Sequence, residues 1–516
     1  MLNATVPSRR GWTRKLSPFH QPVKLSQQLP AGFVLPITSM TNPVTVRLKS
    51  PPRLFWVISG LLVGLFYGLA ALRHTLLNSG GLDLGIFDQV AWQMSQGLEP
   101  RSTLTGLHHM ADHAAWVFYA ITPLYWLKPS VHWLFLTQSA GLILTAWPLW
   151  HLAVQAGLKP RERWTVCGLY WLQAMVFNVN LWDFRPDAWA MPFLALAIWA
   201  NRAERRWLWI ACLFLAMGCR EVLSLIVVGF ALEQALRQRW RWAAEALFLG
   251  IGWLFFVIKI INPIVKDGAA LQGVSRYHHL GDSVGDILQN ALFSPEKFLG
   301  ALDWPDIVFY LFLLSLPLGM YWRRASFPML TASLPLIVSN VLSDYSTQRN
   351  LVQHYSLPLA VLLVVASMDG LAADLRYGRL WLAQRCWIGI SLATLCWALL
   401  IKPGHWITFK RIDQVQTFQA LIKQIPADAG VLSHNHYISH LSQRPVVQLL
   451  RENFPLETAT IVQQAQLDVA LLNPNDPAWP SSSEKTAATI EQLKAMSWDC
   501  EEHDQSGFVL CRKPTS

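Results

Sequence analysis

Charged residues are scarce in this chain. Of its 516 residues only 14% are Asp, Glu, Lys or Arg, whereas 53% are hydrophobic. Soluble globular proteins carry about 25% charged residues, so the deficit argues against the several soluble domains that the length alone would allow. The same composition excludes a disordered chain, a collagen and a small disulfide scaffold. It fits a protein that crosses a membrane several times.

Several common motifs are also missing. The sequence has no C-x-x-C pair and no G-x-G-x-x-G loop, so a zinc or thioredoxin-like site is weakly supported and nucleotide binding is unsupported. Five of the seven cysteines fall in apolar stretches and are interpreted as small apolar fillers. Cys500 and Cys511 flank a turn-like EEHDQSG stretch, which favours a disulfide-bonded hairpin in an oxidising compartment.

Long apolar stretches dominate what remains. A bilayer core of roughly 30 Å needs about 20 mostly apolar residues in a helix, and shorter helices rely on their neighbours or line a water-filled cavity. The stretch 114–127, which contains Pro123, is interpreted as an interfacial helix. The eleven predicted spans are 54–72, 131–153, 164–179, 188–201, 207–219, 222–236, 242–261, 306–322, 326–342, 355–373 and 386–401.

Basic residues predict the orientation of these spans. Residues 1–53 contain eight Lys or Arg and no acid, and the turns that would share their side carry fourteen basic residues against three acids. Under the positive-inside rule this side is cytoplasmic. Residues 1–53 are therefore interpreted as a basic cytoplasmic extension, with a transit peptide or a true start at Met40 as alternatives. The region 54–401 is the predicted transmembrane domain, and residues 402–516 are predicted to lie outside the cytoplasm.

Acids and histidines gather on the opposite, outer face, which includes a long first outer loop at 73–130. Carboxylates there could act as a general base or bind a divalent metal, and Arg or His could bind a phosphate. The sequence predicts one outward-facing polar cavity. Its candidate residues are Asp83, Asp88, Asp112, His113, Asp183, Arg185, Arg220, Glu221, Arg276, His278, Arg349 and His354.

Purely structural roles are an alternative to a functional one for several of these residues. Asp83 and Asp88 could cap a juxtamembrane helix, and Asp112 could begin the 114–127 helix. Arg220 and Glu221 interrupt an apolar stretch of 30 residues. A charge at the centre of a membrane helix costs roughly 2.5–3.5 kcal/mol on insertion scales, so the pair faces either a cavity or each other. A mutual salt bridge that pins a turn is the simpler alternative.

The tail at 402–516 alternates helix and strand patterns, which predicts a small α/β domain. FQALIKQI and SEKTAATIEQLKAMSW indicate helices, and PVVQLL and LDVALLN indicate strands. His434, His436 and His440 follow a spacing that fits neither one strand face nor one helix face. They are expected on the surface.

An ordered set of motifs carries a family resemblance. GLDLGIFDQVAW, LWDFRPDAWAMP, Arg-Glu after a short span, RYHHLGDS and NVLSDYSTQRNLVQHYSLP occur in this order. From about residue 60 to about residue 475 the chain resembles the multi-spanning proteins of the domain-of-unknown-function family DUF2079. That family is similar to the GT-C superfamily of membrane glycosyltransferases, which use a sugar carried on a polyprenyl phosphate. These enzymes place a catalytic Asp in the first outer loop, just after the first span.

The resemblance implies that Asp83 is catalytic, with Asp88 as the second candidate. The chain departs from the expected pattern at two points. Arg220 and Glu221 stand where a Lys-Glu pair is expected, followed by an acid that is here Val222, and Arg185 stands where His is expected. These departures leave open whether a divalent metal binds at this corner.

The fold predicted is therefore an all-α polytopic membrane bundle of about eleven helices, GT-C-like, with a small C-terminal extracytoplasmic α/β domain. The predicted function is transfer of a sugar from a lipid-phosphate-linked donor to an acceptor on the outer side of a bacterial inner membrane. Asp83 would deprotonate the acceptor or hold a metal, and Arg220 with Arg276 or Arg349 would hold the phosphate. The expected partners are membrane lipid and the polyprenyl-phosphate donor, without nucleic acid. A transporter or flippase of a lipid-linked substrate and a membrane scaffold are the alternatives.

Overall fold

The computed structural model describes residues 50–265, 274–378, 386–454, 466–503 and 506–514. Residues 1–49 of the predicted cytoplasmic extension lie outside the described residues. The described residues form one compact unit, so the helical part and the C-terminal segment pack against each other.

Helices account for most of the described chain up to residue 406. Their first group is α1 (Arg53–Thr75), α2 (Ile86–Ser95), α3 (His109–His113), α4 (Thr122–Leu127), α5 (His132–Leu144), α6 (Ala146–Gln155), α7 (Pro160–Trp171), α8 (Ala174–Trp182), α9 (Asp187–Arg202) and α10 (Arg206–Met217). The second group is α11 (Ser224–Leu236), α12 (Trp240–Phe256), α13 (Asn262–Val265), α14 (Val284–Phe293), α15 (Pro295–Gly300), α16 (Trp304–Ser315), α17 (Phe327–Leu342), α18 (Leu357–Arg376), α19 (Cys386–Leu400) and α20 (Pro403–Trp406). A two-residue ribbon, β1 (Arg101–Ser102) with β2 (Leu107–His108), interrupts the first long loop.

Five helical stretches of the described chain are long and apolar enough to cross a membrane. They are Arg53–Thr75, Trp240–Val265, Arg324–Leu342, His354–Arg376 and Cys386–Trp406, with shorter apolar helices at Arg206–Met217 and Trp304–Ser315. The general prediction of a mostly helical chain with apolar spans therefore holds. Each of the eleven predicted stretches overlaps a helix, but 131–153 divides into α5 and α6, and 164–179 divides into α7 and α8. The count of eleven remains a prediction.

α18 occupies the centre of the helical core. Almost all its residues are buried, as expected for a helix that is apolar all round. Small residues let its neighbours approach closely. A Cβ added to Gly370 would overlap the carbonyl oxygen of Tyr321, and one added to Gly229 of α11 would overlap the carbonyl oxygen of Ala332 in α17. The helices are therefore in backbone contact at these positions.

Paired charges join α18 to the helices around it. Arg202 of α9 donates two hydrogen bonds of 2.7 Å to the carboxylate of Asp369, and Arg323 donates to both oxygens of Asp374 at 2.9 and 3.0 Å. Bidentate geometry of this kind fixes orientation as well as neutralising charge. All four residues lie in or beside turns that the basic pattern assigns to the cytoplasmic side.

A mixed five-stranded sheet follows the last apolar helix. Its strands are β3 (Val431–Ser433), β4 (Val447–Leu449), β5 (Val469–Leu472), β6 (Asp499–His503) and β7 (Phe508–Arg512), in the spatial order β4-β3-β5-β7-β6. β4, β3 and β5 are parallel, and β7 pairs antiparallel with β5 and β6. Its helices are α21 (Gln414–Ile422), α22 (Asn435–Ile438) and α23 (Ser483–Ala495).

Local chemistry supports these elements. Both faces of the sheet are covered, one by a cluster around Phe418 and Phe508 and the other by a cluster around Ile490 of α23. α23 begins where the Ser482 hydroxyl accepts a hydrogen bond from the amide of Lys485 at 3.1 Å, a standard N-cap. Cys500 and Cys511 face each other across β6 and β7 and form a disulfide.

The three histidines of this segment are not on the surface, as the spacing had led us to expect. His434 is fully buried, and neither of its ring nitrogens has a hydrogen-bond partner among the described residues. His440 stacks on His74 at the end of α1, with 3.7 Å between ring centroids. The expectation was wrong because this end of the sheet packs against the helical part, a tertiary contact that spacing within one segment does not reveal.

The burial of these histidines leads us to expect that the stability of the folded protein depends on pH. Burial lowers the pKa of His434 to about 3, and the pKa values of His436 and His440 to about 4. Unfolded His titrates near 6.5, so between about pH 6.5 and pH 4 the unfolded chain binds more protons and the folded state loses stability as the pH falls. We expect the melting temperature in detergent to drop from pH 7 to pH 5, and to drop less in His434→Gln. An equal drop in that variant would contradict the assignment to His434.

Candidate active site

Asp83 lies in a short π-helical turn, Gly81–Gly85, between α1 and α2. Such segments are frequent at functional sites. A Cβ on Gly81 would overlap the Ile438 side chain, so any other residue at this position would force Ile438 to move. The Asp83 carboxylate forms an ion pair with Arg185, and the two side chains stay 21% and 15% exposed. Asp83 thus faces the space beside Arg185, and its ion pair links the first long loop to the α8–α9 connection.

Arg220 and Glu221 occupy the corner between α10 and α11, as the break in the apolar stretch predicted. Their side chains take different partners. Arg220 lies 3.3 Å from the Asp187 carboxylate at the start of α9, and Glu221 lies 3.4 Å from Nδ1 of His113. Arg220 and Asp187 are both buried. The pair therefore connects this corner to two other segments, and the alternative of a purely mutual salt bridge does not describe it.

Asp112, His113 and Glu221 form a small acid–imidazole–acid group. Nε2 of His113 is 3.7 Å from the Asp112 carboxylate, on the opposite side of the ring from Glu221. Burial acts to raise the pKa of both carboxyls, but the charge of His113 leads a larger opposite effect and lowers both pKa values below their ordinary range. The Arg185 and Arg220 charges act in the same direction on Asp112. Both carboxyls are therefore ionised at neutral pH.

The geometry of the Asp112–His113–Glu221 group does not fit a divalent metal. The imidazole of His113 stands between the two carboxylates, with one at each nitrogen, so the three groups cannot converge on a single ion. No other set of three His, Cys, Asp or Glu side chains within the described ranges could hold a metal. No chemical step is therefore assigned to a metal.

Two guanidinium groups share the ring of Tyr355. The Cζ atoms of Arg220 and Arg276 lie 5.5 and 5.2 Å from the ring centroid, and Arg276 also lies 5.2 Å from the Tyr345 ring. Nη1 of Arg276 is 3.4 Å from the side-chain oxygen of Gln348. Among the described residues no carboxylate lies within ion-pairing distance of Arg276. The Arg220–Tyr355–Arg276 arrangement, called here the two-arginine site, is suited to an anion.

His354 is buried beside the two-arginine site. Neither of its ring nitrogens has a hydrogen-bond partner within the described part of the chain. The ring lies within electrostatic reach of Arg220, Arg185, His113 and Arg276. Buried polar atoms without partners call for an explanation, and here they border the same space as Arg220 and Arg276. Asp83, Asp112, His113, Arg185, Arg220, Glu221, Arg276 and His354 thus form one network.

Asp88 lies outside this network. It is buried in α2, where its carboxylate accepts hydrogen bonds from Tyr125 at 2.7 Å, Ser442 at 2.5 Å and Gln443 at 2.9 Å. Burial raises its pKa above the ordinary value although the three hydrogen bonds act to lower it. A carboxylate that already accepts three hydrogen bonds connects these segments of the chain and has a structural role. The sequence suggested a reactive group because it could not reveal these partners.

Three further predicted residues also take other partners. Asp183 pairs with Arg73 at the end of α1 and accepts the Gly80 amide at 2.9 Å. Arg349 is buried against Asp306, with 2.5 Å between Nε and Oδ2. His278 is largely exposed and lies 3.7 Å from Asp282. Asp183 supports the chain just before the Asp83 turn, whereas Arg349 and His278 pair with residues outside the network.

The sequence places Tyr345 and Tyr355 in a polar turn, but sequence reasoning assigned them no role in the site, and they provide the rings of the two-arginine site. A signal was present, because both tyrosines lie in the same polar turn as His354 at an otherwise apolar span end. Sequence reasoning also passed over Arg73. A charge at the end of the first apolar helix predicts a buried partner, and that partner is Asp183.

The fold is similar to that of a membrane glycosyltransferase of the GT-C superfamily. The chain is similar to ArnT from Cupriavidus metallidurans bound to undecaprenyl phosphate, with a TM-score of 0.56 and 10% identity over 90% of this chain and 99% of that one. The apo state of the same ArnT gives a TM-score of 0.46 with 13% identity, covering 90% and 100%. The apo oligosaccharyltransferase of Archaeoglobus fulgidus gives 0.38 with 10% identity, covering 81% and 70%.

The chain belongs to the family described as "Predicted membrane protein (DUF2079)", whose model matches residues 73–510. The match includes the Asp83 turn, the two-arginine site and the five-stranded sheet. No protein of curated function matches the sequence.

Substitution of Asp88 tests whether this residue has a structural role, connecting segments, or a reactive one. Asp88→Asn keeps an oxygen for Tyr125 and Gln443, and its amide can donate to the Ser442 hydroxyl, so we expect little loss of stability. Asp88→Ala leaves the buried hydroxyls of Tyr125 and Ser442 and the half-buried amide of Gln443 without this acceptor, and should cost about 1–3 kcal/mol. Thermal unfolding in detergent measures both variants. Equal melting temperatures for Asp88→Asn and Asp88→Ala would contradict the proposed structural role of Asp88.

Proposed function

We propose that this protein is a membrane glycosyltransferase that moves a sugar from a lipid-phosphate-linked donor to an acceptor on the extracytoplasmic side. One observation carries the proposal: residues from five separate segments bring an acid, Asp83, and an anion-binding pair, Arg220 and Arg276, to one network. Such a pairing of a proton acceptor with an anion site is what glycosyl transfer from a phosphate requires.

The two-arginine site is the proposed position of the donor phosphate. Two like charges held on one ring repel each other, and only Arg220 of the two has a carboxylate partner among the described residues. A phosphate between the guanidinium groups would relieve the repulsion and accept several charge-assisted hydrogen bonds. The unpartnered nitrogens of His354 border this position and provide a further donor for a phosphate oxygen.

Asp83 is the proposed general base. The acceptor hydroxyl oxygen attacks the sugar carbon that carries the phosphate, while Asp83 takes the hydroxyl proton. The bond from that carbon to the phosphate oxygen breaks, and its electron pair leaves with the lipid phosphate. Arg220 and Arg276 stabilise the charge that develops on this leaving group. Arg185 holds the Asp83 carboxylate in place, and the Asp112–His113–Glu221 group offers hydrogen bonds to other hydroxyls of the substrates.

The lipid carrier and the sidedness are parts of the same proposal. The ArnT structure of similar fold holds undecaprenyl phosphate, which supports a polyprenyl phosphate as the carrier here. The alternation of basic turns supports a cytoplasmic N-terminus. The Cys500–Cys511 disulfide supports an oxidising compartment for residues 402–516. On this view the small domain and the site lie outside a bacterial inner membrane crossed eleven times.

Arg276→Ala tests the phosphate position. We expect its affinity for undecaprenyl phosphate to fall roughly 10-fold or more, because hydrogen bonds to a charged group contribute about 1.5–3 kcal/mol. His278→Ala is the matched control, being exposed and only two residues away. Binding to the purified protein in detergent would be measured for undecaprenyl phosphate and for undecaprenol, which lacks the phosphate. An equal effect of Arg276→Ala on both ligands would contradict a phosphate contact.

Asp83→Asn tests the chemistry separately from binding. The amide keeps the size of the side chain but cannot accept the proton, so transfer should fall roughly 10²–10⁴-fold while undecaprenyl phosphate still binds. The readout is the glycolipid and glycan profile of cells that carry the variant at wild-type protein levels. A profile identical to wild type would rule out Asp83 as the base.

A further inference from the structure

The segment 435–443, which contains α22, lies directly against the turn that carries Asp83. Oδ1 of Asn435 accepts a hydrogen bond from the backbone amide of Leu82, at 3.2 Å. Leu82 immediately precedes Asp83. Because Leu82 lies in the first turn of the π-helical segment, its amide has no acceptor within that segment and needs one from elsewhere.

The turn is held from two sides by side chains. The amide of Gly80 donates to Asp183, which belongs to the helical part, and the amide of Leu82 donates to Asn435, which belongs to the C-terminal segment. A Cβ on Gly81 between them would overlap Ile438. The backbone of the turn therefore rests on α22, with no room for a side chain between the two.

Further hydrogen bonds join the residues before and after Asp83 to the C-terminal segment. Before the turn, Asn78 and Thr408 exchange two hydrogen bonds, of 2.9 and 2.7 Å. After it, Ser442 and Gln443 bind Asp88. Residues on both sides of Asp83 are thus tied to the chain that follows the last apolar helix. Asn435 is the contact of this set nearest to Asp83.

We infer that Asn435 is a positioning residue for Asp83, and that the C-terminal segment is a working part of the active centre. The inference rests on the proposed function, since it concerns the same site. The amide oxygen of Asn435 sets the backbone at Leu82 and so the direction in which the next side chain, Asp83, leaves the turn. A catalytic group displaced by about 1 Å can lose roughly 10²-fold in rate, so the bond controls the transfer step.

The experiment compares Asn435→Leu, which removes the acceptor oxygen, with Asn435→Asp, which keeps it. Gln424→Leu is the matched control, a similar replacement on the exposed face of the same region. For Asn435→Leu we expect transfer to fall roughly 10-fold or more. Affinity for undecaprenyl phosphate should stay within about two-fold, because the two-arginine site is not touched. Asn435→Asp should restore most of the transfer, and Gln424→Leu should match wild type.

Hydrogen exchange at the amides of Leu82 to Gly85 provides a readout independent of any reaction. Exchange should be faster in Asn435→Leu and unchanged in Asn435→Asp. If wild type shows no transfer but exchange responds in this way, the proposed function fails and the positioning role stands. Wild-type exchange and wild-type transfer in Asn435→Leu would overturn the inference. So would an equal loss in the Leu and Asp variants, since the oxygen would then not matter.

Discussion

The ion pair between Asp83 and Arg185 joins the parts on which the site depends. Asp83 belongs to the turn between α1 and α2, and Arg185 belongs to the connection between α8 and α9. Two residues further along, Asp187 engages Arg220 at the α10–α11 corner, and Arg220 leads to Tyr355 and Arg276. Each charge has its neighbour on another segment. If the first pair were absent, the remaining contacts would lack their direct link to the turn that carries Asp83.

Charge burial explains why these residues meet at all. Charged groups near an apolar belt are costly unless paired or facing water, and this chain has few of them. Those at one end of the bundle are satisfied bidentately, as Arg202 is by Asp369. Those at the site are satisfied less completely, because Arg276 lies on aromatic rings and His354 has no partner among the described residues. Charged and polar groups with a full set of partners therefore have structural roles, whereas those with few partners remain available to a ligand.

Much of the helical part could be predicted because its signal is local. Apolar runs locate helices such as α1 and α18, and the charged break at Arg220 locates the α10–α11 corner. Partner choice could not be predicted in the same way, since it depends on contacts between distant segments. Asp83 and Asp88 look alike in the sequence, yet one meets Arg185 and the other meets Ser442 and Gln443, more than 350 residues away. His434 was misjudged for the same reason.

The central claim is that a lipid phosphate binds between Arg220 and Arg276, within reach of Asp83. An experimental structure of the protein in nanodiscs with undecaprenyl phosphate tests this most directly. The account predicts phosphate density between the two guanidinium groups, on the same side of the membrane as Asp83. Density at the Arg202–Asp369 end of the bundle, with the two-arginine site occupied only by water, would contradict it.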